Sequence, residues 1–128
     1  MQAYYEIIFY VSDQEKSKNF YSYILQQEPI LDVEGMTEFT LQENLKLGLM
    51  PEKGIAKIIT PPMPHPSKGN GIPRNELYIF SEDYKNMYQK AINAGACKIS
   101  AIKQRDWGHA VGYVSDLDGH VIAFAWDK

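Results

Sequence analysis

The chain has 128 residues, 45% of them apolar and 23% charged, with a formal net charge of −3. This is the length and composition of one ordinary folded domain, so disorder is excluded as its main description. There is no basic surplus to neutralise phosphates, which argues against a nucleic-acid partner. No apolar run approaches the roughly 20 residues that span a bilayer, so no membrane partner is expected. The opening MQAYYEIIFYVSD has no basic n-region and no small-residue cleavage site, so no signal peptide is expected either. Lone Cys97 cannot form an internal disulfide, which points to a cytoplasmic setting.

Tyr4–Val11 (YYEIIFYV) is β-branched and aromatic, as a strand requires. Ser12 and Asp13 are capping residues before QEKSKNFYSYIL, where Phe20, Ile24 and Leu25 recur at helical spacing. Glu28-Pro29 ends that helix. Strands are predicted at Ile30–Val33, Thr37–Gln42 and Leu45–Met50, with turns at Glu34-Gly35 and Glu43-Asn44. Pro51–Asn75 reads as a long loop, because five prolines lie between Pro61 and Pro73. It is either a binding lid or a connector. A second cycle follows. Glu76–Phe80 is a strand, and Ser81-Glu82-Asp83 caps a helix running to about Asn93 that buries Met87, Ala91 and Ile92. Ala94-Gly95 stops it. Strands are predicted at Lys98–Arg105, His109–Ser115 and Val121–Trp126, the last two joined by the turn Asp116-Leu117-Asp118-Gly119.

The order is therefore βαβββ, loop, βαβββ, and the two halves share a register. EIIFYVSD (Glu6–Asp13) and ELYIFSED (Glu76–Asp83) both begin with Glu, carry an aromatic fifth, and end with Asp at a helix entry. This is read as an internal duplication. The expected fold is α+β: one domain over residues 1–128, with module 1 at about 1–60, the loop at 61–75 and module 2 at about 76–128.

The paired βαβββ order, the opening FYVSDQEKSKNFYSYIL, Trp107-Gly108 and the hairpin SDLDGHVIAF together resemble the vicinal oxygen chelate superfamily. That superfamily includes glyoxalases, bleomycin-resistance proteins and extradiol dioxygenases. The hairpin is similar to the family's D-P-D-G-x-x-x-E turn, and the likeness covers essentially the whole chain. It implies two βαβββ modules whose mixed sheets form a cup around a ligand, and a homodimer. Metal-using members take His, Gln or Glu ligands from the first and late strands of each module. Here those positions hold Glu6, Glu76 and Ala123, with Leu49 or Met50 at the remaining one. The donor set is depleted everywhere, so no metal or other cofactor is assigned. Two carboxylates would hold a divalent ion only with several waters.

Strand alternation sets what the cup presents. With Glu6 inward, Ile8 and Tyr10 are inward; with Glu76 inward, so are Tyr78 and Phe80. The last strand adds Val121, Ala123 and Ala125, and the preceding segment Trp107, His109, Val111 and Tyr113. Tyr5, Ile7, Phe9 and Val11 face the helices. The expected partner is a small organic ligand, planar and favoured if cationic, held on aromatic walls. The alternative is a glyoxalase-like isomerase or lyase with Glu6 or Glu76 as general base, the two raising each other's pKa. A dioxygenase ranks last, since Fe(II) takes two His and a carboxylate.

Structural readings stand beside these. Each aromatic can be core, and Glu6 and Glu76 can be hydrated or paired with Arg74 or Arg105. His109 can be a hydrogen-bonded strand residue rather than a base. His120 is placed at the surface, and His65 in solvent or over a ligand. Asp13, Asp83 and Asp118 are read as caps and turns, and Cys97 as a buried small residue. No nucleophile elbow, phosphate-binding glycine motif or C-x-x-C is present.

Overall fold

In a computed structural model, residues 3–127 are described. The chain is α+β, with two four-stranded mixed sheets and three α-helices among the described residues. It divides into two compact units. One takes the chain to Ser22 together with Gln26–Asn70; the other takes Tyr23–Leu25 and the chain from Gly71 onward. The two sheets repeat one topology, as the duplicated octets predict. No helix is long and apolar enough to cross a membrane.

The first unit contains β1 (Tyr5–Val11), all but the last three residues of α1 (Gln14–Leu25), β2 (Leu31–Val33), β3 (Met36–Gln42), β4 (Leu45–Pro51) and α2 (Glu52–Ile59). Its sheet order is β1-β4-β3-β2, with β1 parallel to β4 and the other pairs antiparallel. Asp13 caps α1 by accepting from the Lys16 amide at 2.9 Å. Phe9, Val11, Leu47, Leu49, Thr37 and Phe39 are buried, and Phe9 meets Tyr21 of α1 with ring centroids 6.2 Å apart. The Gln14 amide ties the helix start to the β2–β3 turn. It donates to Val33 O and Thr37 Oγ1, both at 2.8 Å, and accepts from the Gly35 amide at 3.1 Å. The helix-facing row is shorter than expected. Phe9 and Val11 are buried, but Tyr5 is 78% and Ile7 43% exposed.

The expected long loop is also corrected. Glu52–Ile59 is helical, with Ile55 buried, and Pro66–Gly69 makes a 3₁₀ turn. The prolines begin at Pro61, past the helix end, so they do not oppose it; Pro51 precedes the first helical residue, where a missing N–H costs nothing.

The second unit contains β5 (Glu76–Phe80), α3 (Tyr84–Asn93), β6 (Cys97–Gln104), β7 (Ala110–Ser115) and β8 (Val121–Trp126), ordered β5-β8-β7-β6. Tyr84, Met87 and Ala91 are the buried side of α3. Tyr88 stands edge-on to Phe124 at 6.3 Å and lies directly over Gly112. Asp118 lies in the β7–β8 turn as expected, and Asp116 ties that turn's backbone together. Asp116 is buried, and its Oδ1 accepts from the amides of Asp118 at 2.9 Å and His120 at 2.8 Å. Cys97 is exposed, contrary to expectation, because it opens β6 on the outer strand of the sheet.

Candidate functional site

Parallel pairing of β5 with β8 and antiparallel pairing of β8 with β7 set three cross-strand rows on one sheet face. They are Phe80–Ala125–Val111, Tyr78–Ala123–Tyr113 and Glu76–Val121–Ser115. The small centre and bulky flanks have a direct packing consequence. Val111, Ala123 and Ala125 are fully buried, with Tyr113 packed against them, and form a floor. Of the wall residues, Tyr78 is 37%, Phe80 44% and Trp107 55% exposed. Exposed aromatics gathered on one face form an apolar patch of the kind that marks an interaction surface.

These side chains are fixed by hydrogen bonds. The Trp107 indole Nε1 donates to Tyr78 Oη at 2.8 Å, and Tyr78 Oη lies 2.8 Å from His109 Nδ1. An indole only donates, so Tyr78 Oη is the acceptor of that bond, and on the far side of the ring His109 Nε2 lies 3.8 Å from Asp127 Oδ1. Phe80 lies 4.6 Å from both the His109 and the Trp126 rings. Arg105 is committed to structure. Its guanidinium donates to Val111 O at 2.8 Å, Ser100 Oγ at 2.9 Å and Ala101 O at 3.1 Å, and it stacks 5.2 Å from the Tyr113 ring. Burial raises the Tyr113 phenol above its usual range, and Glu76 adds to this while Arg105 opposes it. Glu76 itself is exposed.

Glu6, Ile8 and Tyr10 lie on one face of the other sheet, in the first unit. The carboxylate that couples to Glu6 is Glu38, a residue the sequence reading missed. β3–β4 pairing sets Glu38 opposite Gly48, and β1–β4 pairing sets Glu6 opposite Lys46. Lys46 Nζ is 3.5 Å from Glu38 and 4.2 Å from the Tyr4 ring centre. Glu6 Oε2 is buried without a hydrogen-bond partner and rests against Gly48. Burial first, then the hydrogen bond and charge of Glu38, raise the Glu6 carboxyl; Lys46 pulls the other way. A carboxyl raised in the fold favours folding while protonated. Its contribution is full below the ordinary glutamate range and is lost as pH rises through the raised value.

Glu6→Gln keeps a permanent donor toward Glu38. It should therefore be more stable than the parent near neutral pH by about 0.5–1 kcal/mol, with the gap closing in acid. Urea denaturation between about pH 4 and pH 8 checks this. Parallel curves for the two proteins would show that Glu6 does not titrate in that range.

Residues 4–125 match the family model of the glyoxalase-like domain. The chain belongs to the glyoxalase-like domain family. Solved structures agree on the fold. A glyoxalase-related enzyme from Fulvimarina pelagi superposes with TM-score 0.82 at 18% identity, covering 98% of this chain and 88% of that one. A glyoxalase/bleomycin resistance protein/dioxygenase family enzyme from Burkholderia phytofirmans PsJN gives 0.77 at 12% identity, covering 96% and 97%. TioX from Micromonospora sp. ML1 gives 0.70 at 12%, covering 99% and 100%. No curated protein sequence matches at a significant level.

The divalent metal implied by the superfamily does not fit this glyoxalase-like chain's donors. At the four corresponding positions only Glu6 and Glu76 carry oxygen ligands. Ala123 has no donor atom and is buried in the sheet floor. Among the described residues no three His, Cys, Asp or Glu side chains group together. Beyond Glu38 and Lys46, the sequence reading missed Trp126 and Asp127. Trp126 has the alternation parity of the opposite face, so only its contact with Phe80 at the strand end reveals it.

Proposed function

We propose that this glyoxalase-like chain binds a small planar organic molecule on the aromatic face of its second sheet, without a metal ion at the family's ligand positions. The carrying observation is the chain of bonds from Trp107 through Tyr78 to His109, which holds exposed rings in fixed orientations. Rings already immobilised lose little further freedom when a ligand stacks on them. The wall is Tyr78, Phe80, Trp107 and His109, and the floor is Val111, Tyr113 and Ala123. The reading takes the working unit to be a cytoplasmic homodimer that sequesters its ligand.

Trp107→Ala should weaken binding of a planar aromatic ligand by about tenfold, the scale of one lost stacking contact. Tyr78→Phe should weaken it less, by freeing Trp107 and His109 to rotate. Isothermal titration with hits from a planar, cationic-biased compound set checks both. Equal affinity in Trp107→Ala and the parent would remove the aromatic face from the account.

A second reading rests on the raised Glu6 carboxyl. A base shifted toward neutrality suits proton abstraction beside a carbonyl, so the chain would be an isomerase or lyase of the glyoxalase kind. Glu76 holds the equivalent first-strand position of the second module. On this reading Glu6→Gln or Glu76→Gln removes solvent-deuterium exchange into a bound ketone while affinity is kept.

A further inference from the structure

We propose a second binding site in the first unit, a cleft that takes a small amphipathic anion: an apolar chain or ring carrying one carboxylate. The cleft holds about 310 Å³ and is walled by Tyr10, Ile59, Met63, Pro64 and Pro66, with His65 and Lys68 completing the lining. That volume lies at the small end of the range of ligand pockets, roughly 300–1,000 Å³. It suits a medium-chain carboxylate rather than a large cofactor.

Its walls are preformed. Proline fixes φ at Pro64 and Pro66. Backbone bonds close the segment on itself: Met63 N to Ile59 O at 2.8 Å, Lys68 N to His65 O at 3.0 Å and Asn70 N to Ser67 O at 3.3 Å. His65 has a fixed tautomer. Its Nδ1 accepts from the Ser67 amide at 3.1 Å, so the neutral ring carries its proton on Nε2 as a donor.

Charge decides the class of occupant. The chain carries −3 overall, yet no acidic residue lines this cleft, and its charged side chain is Lys68. An apolar slot whose lining includes a lysine and a histidine and no acid is complementary to an apolar body with an anionic head, and disfavours an amine. Tyr10 ties the cleft to β1. It shares a sheet face with Glu6, four residues or about 13 Å away along the strand.

The probe is octanoate, with octanol as the neutral control, titrated into the full ¹⁵N-labelled chain. Octanoate should shift the amide signals of Tyr10, Met63, His65, Lys68 and Gly69 saturably, with octanol at least about fivefold weaker. Lys68→Glu, at an exposed position, should weaken octanoate by a similar factor and leave octanol unchanged. The Trp107 and Trp126 indole signals should stay in place, which separates this site from the aromatic face. The proposal is overturned if those amides do not move, if octanol binds as well as octanoate, or if shifts appear only at the indoles.

Discussion

Phe124→Ala should destabilise the chain by about 3–5 kcal/mol, the usual cost of emptying a buried aromatic site. Phe124 is fully buried in β8, opposite Gly112 of β7 and Ile79 of β5. Tyr88 of α3 meets it edge-on at 6.3 Å and is fixed by donating its hydroxyl to Ser100 O at 3.2 Å. Tyr88 cannot drop into the vacated space without giving up that bond, so the cavity will not collapse cheaply. Gly112 completes the same layer, since a Cβ there would lie 2.7 Å from both Tyr88 and Ile102. Phe80→Ala, on the exposed face of the same sheet, should cost about 1 kcal/mol or less. Urea midpoints of the two variants make the comparison. Similar losses for both would mean that the α3 side of the sheet is not where the second unit's stability resides.

Gly48→Ala should cost about 1 kcal/mol and abolish the pH dependence assigned to Glu6, because the atom nearest the new Cβ is the tip of a flexible side chain. The new Cβ would stand 2.5 Å from Glu6 Oε2 and 3.2 Å from both Ile8 Cγ1 and Met36 Sδ. Ile8 and Met36 can give by a few tenths of an ångström, but the carboxylate must swing away. Once moved, it loses the hydrogen bond to Glu38 and the burial that raises its pKa. The partners touch, so their effects should not add. In a Glu6→Ala background, Gly48→Ala should cost less than in the parent. A full cost in both backgrounds would place the clash elsewhere and detach Gly48 from the acidic pair.

Local chemistry made the element order legible. Asp13 before an amphipathic run marked the start of α1, and EIIFYVSD with ELYIFSED marked both modules. The same alternation that grouped Tyr78 with Phe80, Val111 with Tyr113, and Glu6 with Ile8 and Tyr10 holds in the sheets. What escaped depends on contacts that no local pattern records. Glu38 is the clearest case. A two-residue turn at Glu43-Asn44 with regular pairing would set Glu38 opposite Leu49. A β-bulge between Thr40 and Gln42 inserts one residue, turning Glu38 toward Gly48 and so toward Glu6. The carboxylate that acts on Glu6 is two strands away in the same sheet. The missed helix α2 has the opposite cause. Pro61 and the prolines after it dominated the reading of a segment whose first eight residues after Pro51, EKGIAKII, are good helix formers apart from Gly54.

The most direct test of the central claim follows the two indole N–H signals, Trp107 and Trp126, while planar organic compounds are titrated into the parent and Tyr78→Phe. Trp107 donates to Tyr78, and Trp126 packs on Phe80, so the two signals report both ends of the aromatic face. The account predicts that a binding compound shifts both signals saturably in the parent and binds less tightly to Tyr78→Phe. Planar compounds without a carboxylate that bind the chain by calorimetry yet leave both indoles unmoved would contradict it.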